Sequence, residues 1–412
     1  MKDGDMTEAR AEAGPPHLLL FVADQWRGDV MGHLGHPAAV TPHLDRFAEQ
    51  AVSFTRAFCQ NPICGPSRCS LMTGWYPHVR GHRTQSHLLR PRHGEPSLPA
   101  VLREQGYHVW WAGKNDAIAG QEGPHSVCDH YNEPEPSETI WAIDQQDQWR
   151  GDPAGDDYYS FFVGKLDKAG EYRRDRDWAD IEDAIRFAER YHGEQPLCMI
   201  VTLTYPHAPF AVEEPWFSMI DRHAVPPRVA PPDDYAGKPA FMRTTVANSR
   251  MQGWDESRWT ELRAVYYAMC ARVDEQFGRL CDAFKRSGLY DDTLILFTSD
   301  HGEYAGDYGM VEKAQNCFED CLVRVPLLIK PPVGQLCRPR VTEAIVELID
   351  LCATIYDYAG ITPGYWHFGR SLRAVVEGEH DEHRDAVFCE GGRLPGETHC
   401  LNLPPGMTEP DP

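Results

Sequence analysis

Short runs of apolar residues alternate along this chain with stretches in which apolar and polar positions mix. Apolar runs of about four to eight residues are typical of strands buried on both faces. The predicted strands are His17–Ala23, Tyr107–Ala112, Cys198–Leu203, Thr293–Phe297 and Pro326–Ile329. Because helical patterns lie between them, we predict an α/β fold with a large, mostly parallel sheet covered by helices on both faces.

The stretches between the runs have helical periodicity and recognisable ends. A proline in the first turn and a glycine after the last turn are common boundary signals of helices. The predicted helices begin at Thr41-Pro42 and reach Val52, run from Ser97 to Gly106, cover Trp178–Tyr191, run from Ser257 to Lys285, and cover Val341–Tyr358.

The remaining segments are polar or rich in proline. Residues 115–177 and 205–256 each follow a predicted strand end, where loops often shape a substrate pocket, although plain surface excursions fit them equally. The predicted organisation is a polar N-terminal tail at 1–16, one large catalytic domain at 17–390, and a proline-rich tail at 391–412.

Composition restricts the class of partner. The chain has 412 residues, of which 42% are hydrophobic, so it can bury a large core. Its formal net charge is -22 at pH 7. Nucleic acids and anionic membranes reward clustered Lys and Arg, so we expect neither as a partner. A site for an anionic substrate must therefore supply its positive charge locally.

Cysteine usage bears on the compartment. The 13 cysteines are an odd number with no compact spacing that would indicate a disulfide framework. We expect no signal peptide before the first apolar run, and Leu18–Ala23 is too short to span a membrane. These features favour a cytoplasmic protein with mostly reduced thiols.

Polar residues follow the ends of the predicted strands. Asp24-Gln25 follows the first strand, Lys114 the second, His207 the third and Asp300-His301 the fourth. In an open α/β sheet, ligands bind at the carboxyl ends of the strands. Carboxylate, carboxamide and imidazole groups suit a divalent cation. The pattern predicts a metal-assisted site for a tetrahedral anion, although each side chain alone has an ordinary structural explanation.

One short run, CGPSRCSLMTG at 64–74, is more specific than the rest of the chain. Cys64 is followed by Pro66, Ser67 and Arg68, and the proline predicts a helix whose N-terminus favours a bound anion. The spacing resembles the signature of type I sulfatases, in which this cysteine is oxidised to an aldehyde, formylglycine, whose hydrate is the nucleophile. The alternative is a small buried cysteine before a proline-started helix.

The resemblance extends over residues 17–390, which look like the catalytic domain of the sulfatase branch of the alkaline phosphatase superfamily. The segments that resemble family motifs are FVADQ, TPHLDRFAEQAVSFTRAF, GWYPHVRGHR, GYHVWWAGK, TYPHAPF and FTSDHGEYAGDYGMVEK. An alkaline phosphatase-like sheet is therefore the expected architecture.

Site roles follow from the same resemblance. It implies that a divalent metal is held by Asp24, Gln25, Asp300, His301 and the modified Cys64. It implies that Asp300 is the base that activates the aldehyde hydrate. The residues implied to bind the hydrate, the anion and the leaving oxygen are Arg68, Lys114, His207 and Lys313.

The chain departs from the common family pattern at the metal and at a motif histidine. Gln25 and His301 stand where many members have Asp and Asn, a set similar to choline sulfatases and phosphonate monoester hydrolases. Ca²⁺ is the expected metal and Mn²⁺ the alternative. The usual Gly-Lys-x-His motif reads Gly-Lys-Asn-Asp at 113–116, so we expect Asp116, or else His82, to replace the histidine that helps break down the sulfated intermediate.

The expected function is hydrolysis of a sulfate ester of a small molecule or a saccharide, after maturation by a formylglycine-generating enzyme. A phosphonate monoester or phosphodiester hydrolase with the same nucleophile is one alternative, and an inactive anion- or metal-binding relative is another. Family members commonly continue into a small C-terminal subdomain, and this chain ends about where it would begin, which fits a short variant or a truncated gene. A homo-oligomeric state is left open.

Overall fold

The computed structural model describes residues 14–120, 123–134, 150–152, 154–155, 157–166, 175–392 and 396–397. The strands are β1 His17–Ala23, β2 Val52–Phe58, β3 His108–Gly113, β4 His130–Asn132, β5 Phe162–Lys165, β6 Leu197–Thr202, β7 Phe210–Val212, β8 Thr293–Ser299, β9 Arg324–Lys330 and β10 Arg340–Glu347. The α-helices of this part are α1 Pro42–Ala48, α2 Cys64–Thr73, α3 Leu98–Glu104, α4 Arg176–Arg190, α5 Trp216–Met219, α6 Ala240–Asn248, α7 Glu256–Arg286, α8 Asp320–Val323, α9 Ile349–Ala359 and α10 Arg373–Glu377.

An 8-stranded sheet, in the order β10-β2-β9-β8-β1-β6-β3-β4, forms the centre of the fold. Its neighbours pair in parallel except for β9, which runs antiparallel to both β2 and β8. β5 and β7 form a separate 2-stranded sheet. The predicted α/β architecture with a mostly parallel sheet is confirmed, and each of the predicted strands is present.

Side chains of the central strands alternate between two hydrophobic cores, because successive strand residues point to opposite faces. On β1, Leu19 and Phe21 belong to one core and Leu18 and Leu20 to the other. Helices α1, α4 and α7 cover the first face, and α2, α3 and α9 cover the second. β1, β6 and β8 are thus buried on both sides, which explains why they read as continuous apolar runs.

Helix α2 is buried along its whole length from Cys64 to Thr73. It ends at Gly74, whose φ of 70° is left-handed and whose N–H donates to the carbonyl of Ser70. Glycine adopts this conformation without the steric cost that a side chain would bring. The Leu-Met-Thr-Gly end of the signature is therefore a helix stop inside the second core.

Two predicted helices were wrong in part. The predicted helix Val341–Tyr358 is strand β10 followed by α9, and the helix predicted to reach Val52 ends at Ala48. Thr342, Ala344 and Val346 are buried while Val341, Glu343 and Ile345 are more exposed, which is the two-residue period of a strand. Pairing with β2, which itself begins at Val52, prevailed over the local helical spacing.

The predicted tails at 1–16 and 391–412 lie mostly outside the described residues, and the segment 115–177 lies partly outside them. Among the helices that the structure describes, none combines the length and the apolar composition needed to cross a membrane.

A buried ion cluster ties α4 and α7 to the chain that leaves β6. Arg272, on α7, is paired with Asp175, and its Nε donates to Glu213 Oε1 at 3.0 Å. The guanidinium lies 4.1 Å from the centroid of the Tyr205 ring. Asp175 also caps α4, because its carboxylate accepts a hydrogen bond from the N–H of Trp178 at 3.0 Å.

Replacing Arg272 by Met should lower the free energy of unfolding by about 3–5 kcal/mol, since it leaves two buried carboxylates without their partner. Urea denaturation followed by tryptophan fluorescence measures the change. The control is Arg286→Met, whose ion pair with Glu189 is exposed on both sides and should contribute less than about 1 kcal/mol. Equal losses in the two variants would contradict the structural role of the buried cluster.

Candidate active site

The strand register brings the predicted polar residues to one edge of the sheet. β1 and β8 are paired so that Ala23 lies opposite Ser299, which places the next residues, Asp24 and Asp300, side by side. The N–H of Lys114 donates to the carbonyl of Thr202 at 2.7 Å, so the ends of β3 and β6 meet at the same edge. The carboxyl ends of four neighbouring strands therefore surround one site.

Arg68 joins three of these strand ends. From the first turns of α2, its Nε donates to Asp300 Oδ2 at 2.8 Å and its Nη2 to Asp24 Oδ2 at 3.1 Å. Its Nη1 donates to the carbonyl oxygen of Lys114 at 2.6 Å. The guanidinium is almost wholly buried. Helix and sheet are thus fixed relative to each other at the site by charge-assisted hydrogen bonds.

Cys64 lies one helical turn before Arg68 and faces the same cluster. Its Sγ is 3.2 Å from His301 Nε2, 3.4 Å from Lys114 Nζ and 3.6 Å from Asp24 Oδ1. Burial, and then the charge of Asp24, raise the pKa of the Cys64 thiol to about 12. The unmodified side chain is therefore a neutral thiol near pH 7, which is a poor nucleophile.

The donor set suits a divalent metal. One ligand atom each from Asp24, Cys64, Asp300 and His301 lies within 4.8 Å of all the others, and all four side chains are buried. His301 Nδ1 is 2.9 Å from the carbonyl oxygen of Gly302, which directs Nε2 into the cluster. Burial lowers the pKa of His301, so the neutral imidazole needed for metal binding is favoured.

The charges of the cluster favour an ionised Asp24 and a protonated Lys114. Burial alone would raise the pKa of Asp24, but Lys114 above all holds it well below its usual range. Burial would likewise lower the pKa of Lys114, but Asp24 and Cys64 raise it well above. Lys114 Nζ is also 3.1 Å from Asp116 Oδ2, so Asp116 borders the site.

A second group of contacting side chains at the site consists of Gln25, His207 and Lys313. Lys313 Nζ donates to Gln25 Oε1 at 2.7 Å and also contacts His207 Nε2. His207 Nδ1 is 2.6 Å from the carbonyl oxygen of Ala208. Burial and then Lys313 hold the pKa of His207 well below its usual value, so the ring is neutral and its Nε2 accepts from the lysine.

His82 lies apart from this cluster. Its Nε2 is 3.2 Å from Glu95 Oε1, its Nδ1 is 3.0 Å from the carbonyl oxygen of His87, and the two histidine rings stack. Among the described contacts, none joins His82 to Cys64, Asp24 or Asp300. The other predicted site residues lie together. Replacement of the motif histidine by Asp116 or His82 stays a prediction. The contact of Asp116 with Lys114 favours Asp116 for this role.

Glu303 also borders the site, although its position in the sequence did not predict this. It is fully buried, and its carboxylate accepts hydrogen bonds from the side-chain amide of Gln25 and from the N–H of Ala305. Burial raises its pKa to about 7, although these donors act in the opposite direction. The sequence did place Glu303 two residues after His301, within a family motif. That spacing alone does not show which side chains Glu303 contacts.

This site defines a class: an α/β protein with a cysteine at a helix N-terminus, a metal-suited carboxylate pair and several cations at the carboxyl edge of its sheet. Such a centre is suited to transfer of a tetrahedral anion. Residues 16–361 match the family model described as Sulfatase, and the chain therefore belongs to the sulfatase family. The predicted resemblance is confirmed.

Relatives include both sulfatases and a phosphonate hydrolase. The chain is 27% identical to an ulvan-active sulfatase of Formosa agariphila over 79% of this chain and 58% of that protein. It is 26% identical to the choline-sulfatase of Rhizobium meliloti, over 89% and 72% of the two chains. It superposes on the phosphonate monoester hydrolase of Agrobacterium radiobacter with a TM-score of 0.76 at 26% identity, over 93% of this chain and 81% of that one.

Asp300→Asn should weaken the binding of Ca²⁺ and of Mn²⁺ by at least about tenfold, because it removes one charged ligand from the cluster. Isothermal titration of the metal-free protein measures the dissociation constants. Asp320→Asn removes an exposed carboxylate outside the site and serves as the control. A dissociation constant that is the same in Asp300→Asn and the unchanged chain would contradict the cluster as the metal site.

Proposed function

We propose that this protein hydrolyses a sulfate ester through a formylglycine formed from Cys64. The observation that supports it best is the position of Cys64 Sγ, in the sulfatase signature and within 3.6 Å of Asp24, Lys114 and His301. A thiol with its pKa raised to about 12 has little reactivity there, whereas a hydrated aldehyde at the same carbon offers two hydroxyl groups.

A divalent metal fits the residues Asp24, Gln25, Asp300, His301 and the modified Cys64. Ca²⁺ is the proposed ion and Mn²⁺ the alternative. When bound, the metal supplies Lewis-acid charge stabilisation for oxygen atoms of the substrate and the nucleophile. The remaining charge on the sulfuryl oxygens is neutralised by Arg68, Lys114 and Lys313, and such preorganised charge is often the largest single contribution to catalysis.

The chain's own residues move the protons. One hydroxyl of the aldehyde hydrate gives its proton to Asp300, and its oxygen forms a bond to sulfur while the bond from sulfur to the ester oxygen breaks. The contacting pair of His207 and Lys313 gives a proton to the departing alcohol. The second hydroxyl then loses its proton, with Asp116 as the proposed base. The carbon–oxygen bond to sulfate breaks, and the aldehyde re-forms and is hydrated again.

Small-molecule and saccharide sulfate esters are the proposed substrates. Names of the relatives point to both, since one is an ulvan-active sulfatase and another a choline-sulfatase. A formylglycine-generating enzyme is the proposed maturation partner, and a cytoplasmic location stays a prediction.

Hydrolysis of a phosphonate monoester is the second candidate. It is favoured by the similarity to the phosphonate monoester hydrolase of Agrobacterium radiobacter, at a TM-score of 0.76. The Gln25 and His301 pair is also similar to the metal set of that group. Against it, three cations surround the site, and a sulfuryl group offers three terminal oxygens where a phosphonate offers two and a carbon substituent.

Mass spectrometry of the tryptic peptide 57–68 should find formylglycine at Cys64 in protein produced beside a formylglycine-generating enzyme. The peptide will have lost H₂S and gained one oxygen relative to the thiol. A matched preparation without that enzyme is the control. An intact thiol in both preparations would favour the inactive anion- or metal-binding relative.

The modified protein should hydrolyse an aryl sulfate with a kcat/KM at least about tenfold higher than that for the matched aryl phosphonate, a difference of about 1.4 kcal/mol in transition-state binding. The reason is that Arg68, Lys114 and Lys313 can each face a terminal oxygen of the sulfuryl group, whereas the phosphonate has only two such oxygens. Steady-state kinetics with the same leaving group on both substrates measures the ratio. A ratio below one would establish the second candidate instead.

A further inference from the structure

Glu303 occupies a position between the metal side and the leaving-group side of the site. One oxygen, Oε1, accepts hydrogen bonds from the N–H of Ala305 at 2.8 Å and from the N–H of Glu312 at 2.5 Å. The other oxygen, Oε2, accepts from the side-chain amide of Gln25. All these partners are donors, so the ionised carboxylate fits the contacts.

Hydrogen bonds hold the backbone of Gln25 in place, so its carboxamide is the part that can change orientation. Its backbone φ is 73°, an unusual value for a residue with a side chain. Its N–H donates to Asp300 Oδ1 at 3.1 Å, and its carbonyl oxygen accepts from the hydroxyl of Tyr266 at 2.8 Å. The backbone is therefore fixed from both sides, and the side chain is the only part that can turn.

Two partners of opposite character lie at the ends of that carboxamide. The ionised carboxylate of Glu303 can only accept hydrogen bonds from it, and the ammonium group of Lys313 can only donate to it. The NH₂ group must therefore face Glu303, and the oxygen must face Lys313 and the interior of the site. Without these two partners, the carboxamide with its NH₂ group and oxygen exchanged would fit the same space nearly as well.

We propose that Glu303 is a positioning residue that sets the orientation of the Gln25 carboxamide, so that its oxygen is available as a metal ligand. Through the N–H of Glu312, the same carboxylate fixes the segment immediately before Lys313. The proposal rests on the proposed function only in taking the ion to be a divalent metal.

Exchanging the two side chains isolates this role. In Glu303→Gln, an amide NH₂ replaces the acceptor opposite Gln25, and the Gln25 carboxamide must turn. In Gln25→Glu, two carboxylates face each other. The double exchange, Gln25→Glu with Glu303→Gln, keeps an amide-to-carboxylate hydrogen bond but reverses its direction. The carboxamide oxygen at position 303 still accepts from the N–H groups of Ala305 and Glu312.

The experiment titrates Mn²⁺ and Ca²⁺ into the metal-free, full-length chain by calorimetry, with circular dichroism to confirm that each variant is folded. Gln25→Glu adds a negative charge at the ligand position and serves only as the parent of the double exchange. Glu303→Gln should raise the dissociation constant by about 10–100-fold, the usual effect of losing a hydrogen-bond partner of a metal ligand. The double exchange should recover most of that loss. Glu319→Gln is the matched control, because Glu319 accepts from Tyr304 in the same loop and does not touch Gln25.

The outcomes separate this proposal from the proposed function. Unchanged affinity in Glu303→Gln, or a double exchange as weak as Glu303→Gln, would overturn the positioning role even in an active sulfatase. Loss of affinity in Glu303→Gln with recovery in the double exchange would support it even in protein without ester turnover, since the titration needs no substrate. An unchanged chain that carries formylglycine and binds neither ion would contradict both.

Discussion

One buried guanidinium, that of Arg68, holds the parts of the site together. It is bonded to Asp24 after β1, to Asp300 after β8 and to the carbonyl of Lys114 after β3. Because Arg68 lies one helical turn after Cys64, the same contacts fix the cysteine against the carboxylates. Buried ion pairs of this kind are expensive to desolvate and add little net stability, so their place here is explained by the geometry they impose.

Much of the architecture could be predicted from the sequence because the central strands are buried on both faces. Continuous apolar runs as short as β1 and β8 favour buried strands over helices, and the polar residues that end them mark the ligand edge of the sheet. The signature around Cys64 then indicated the chemistry. β10 was missed because it is an edge strand in which only half of the side chains are fully buried, and its spacing was compatible with the helix that follows it.

Contacts that depend on tertiary structure could not be predicted. Gln25 and Glu303 are 278 positions apart, and only the meeting of β1 with β8 makes them neighbours. Glu303 also accepts hydrogen bonds from Ala305 and Glu312, whose φ angles are positive, and no periodic pattern reveals such a loop. His82 shows the converse, since closeness to Cys64 in sequence did not bring it into the cluster.

The chain is strongly acidic, at -22, yet Arg68, Lys114 and Lys313 converge on one edge of the sheet. Local arrangement of charge, more than net charge, therefore decides which ligand the site attracts. In this mechanism a modified Cys64 is the proposed nucleophile. It can be tested by measuring aryl sulfate turnover per molecule across preparations with different formylglycine contents. Turnover should rise in proportion to the modified fraction and vanish when extrapolated to none; turnover independent of that fraction would contradict the claim.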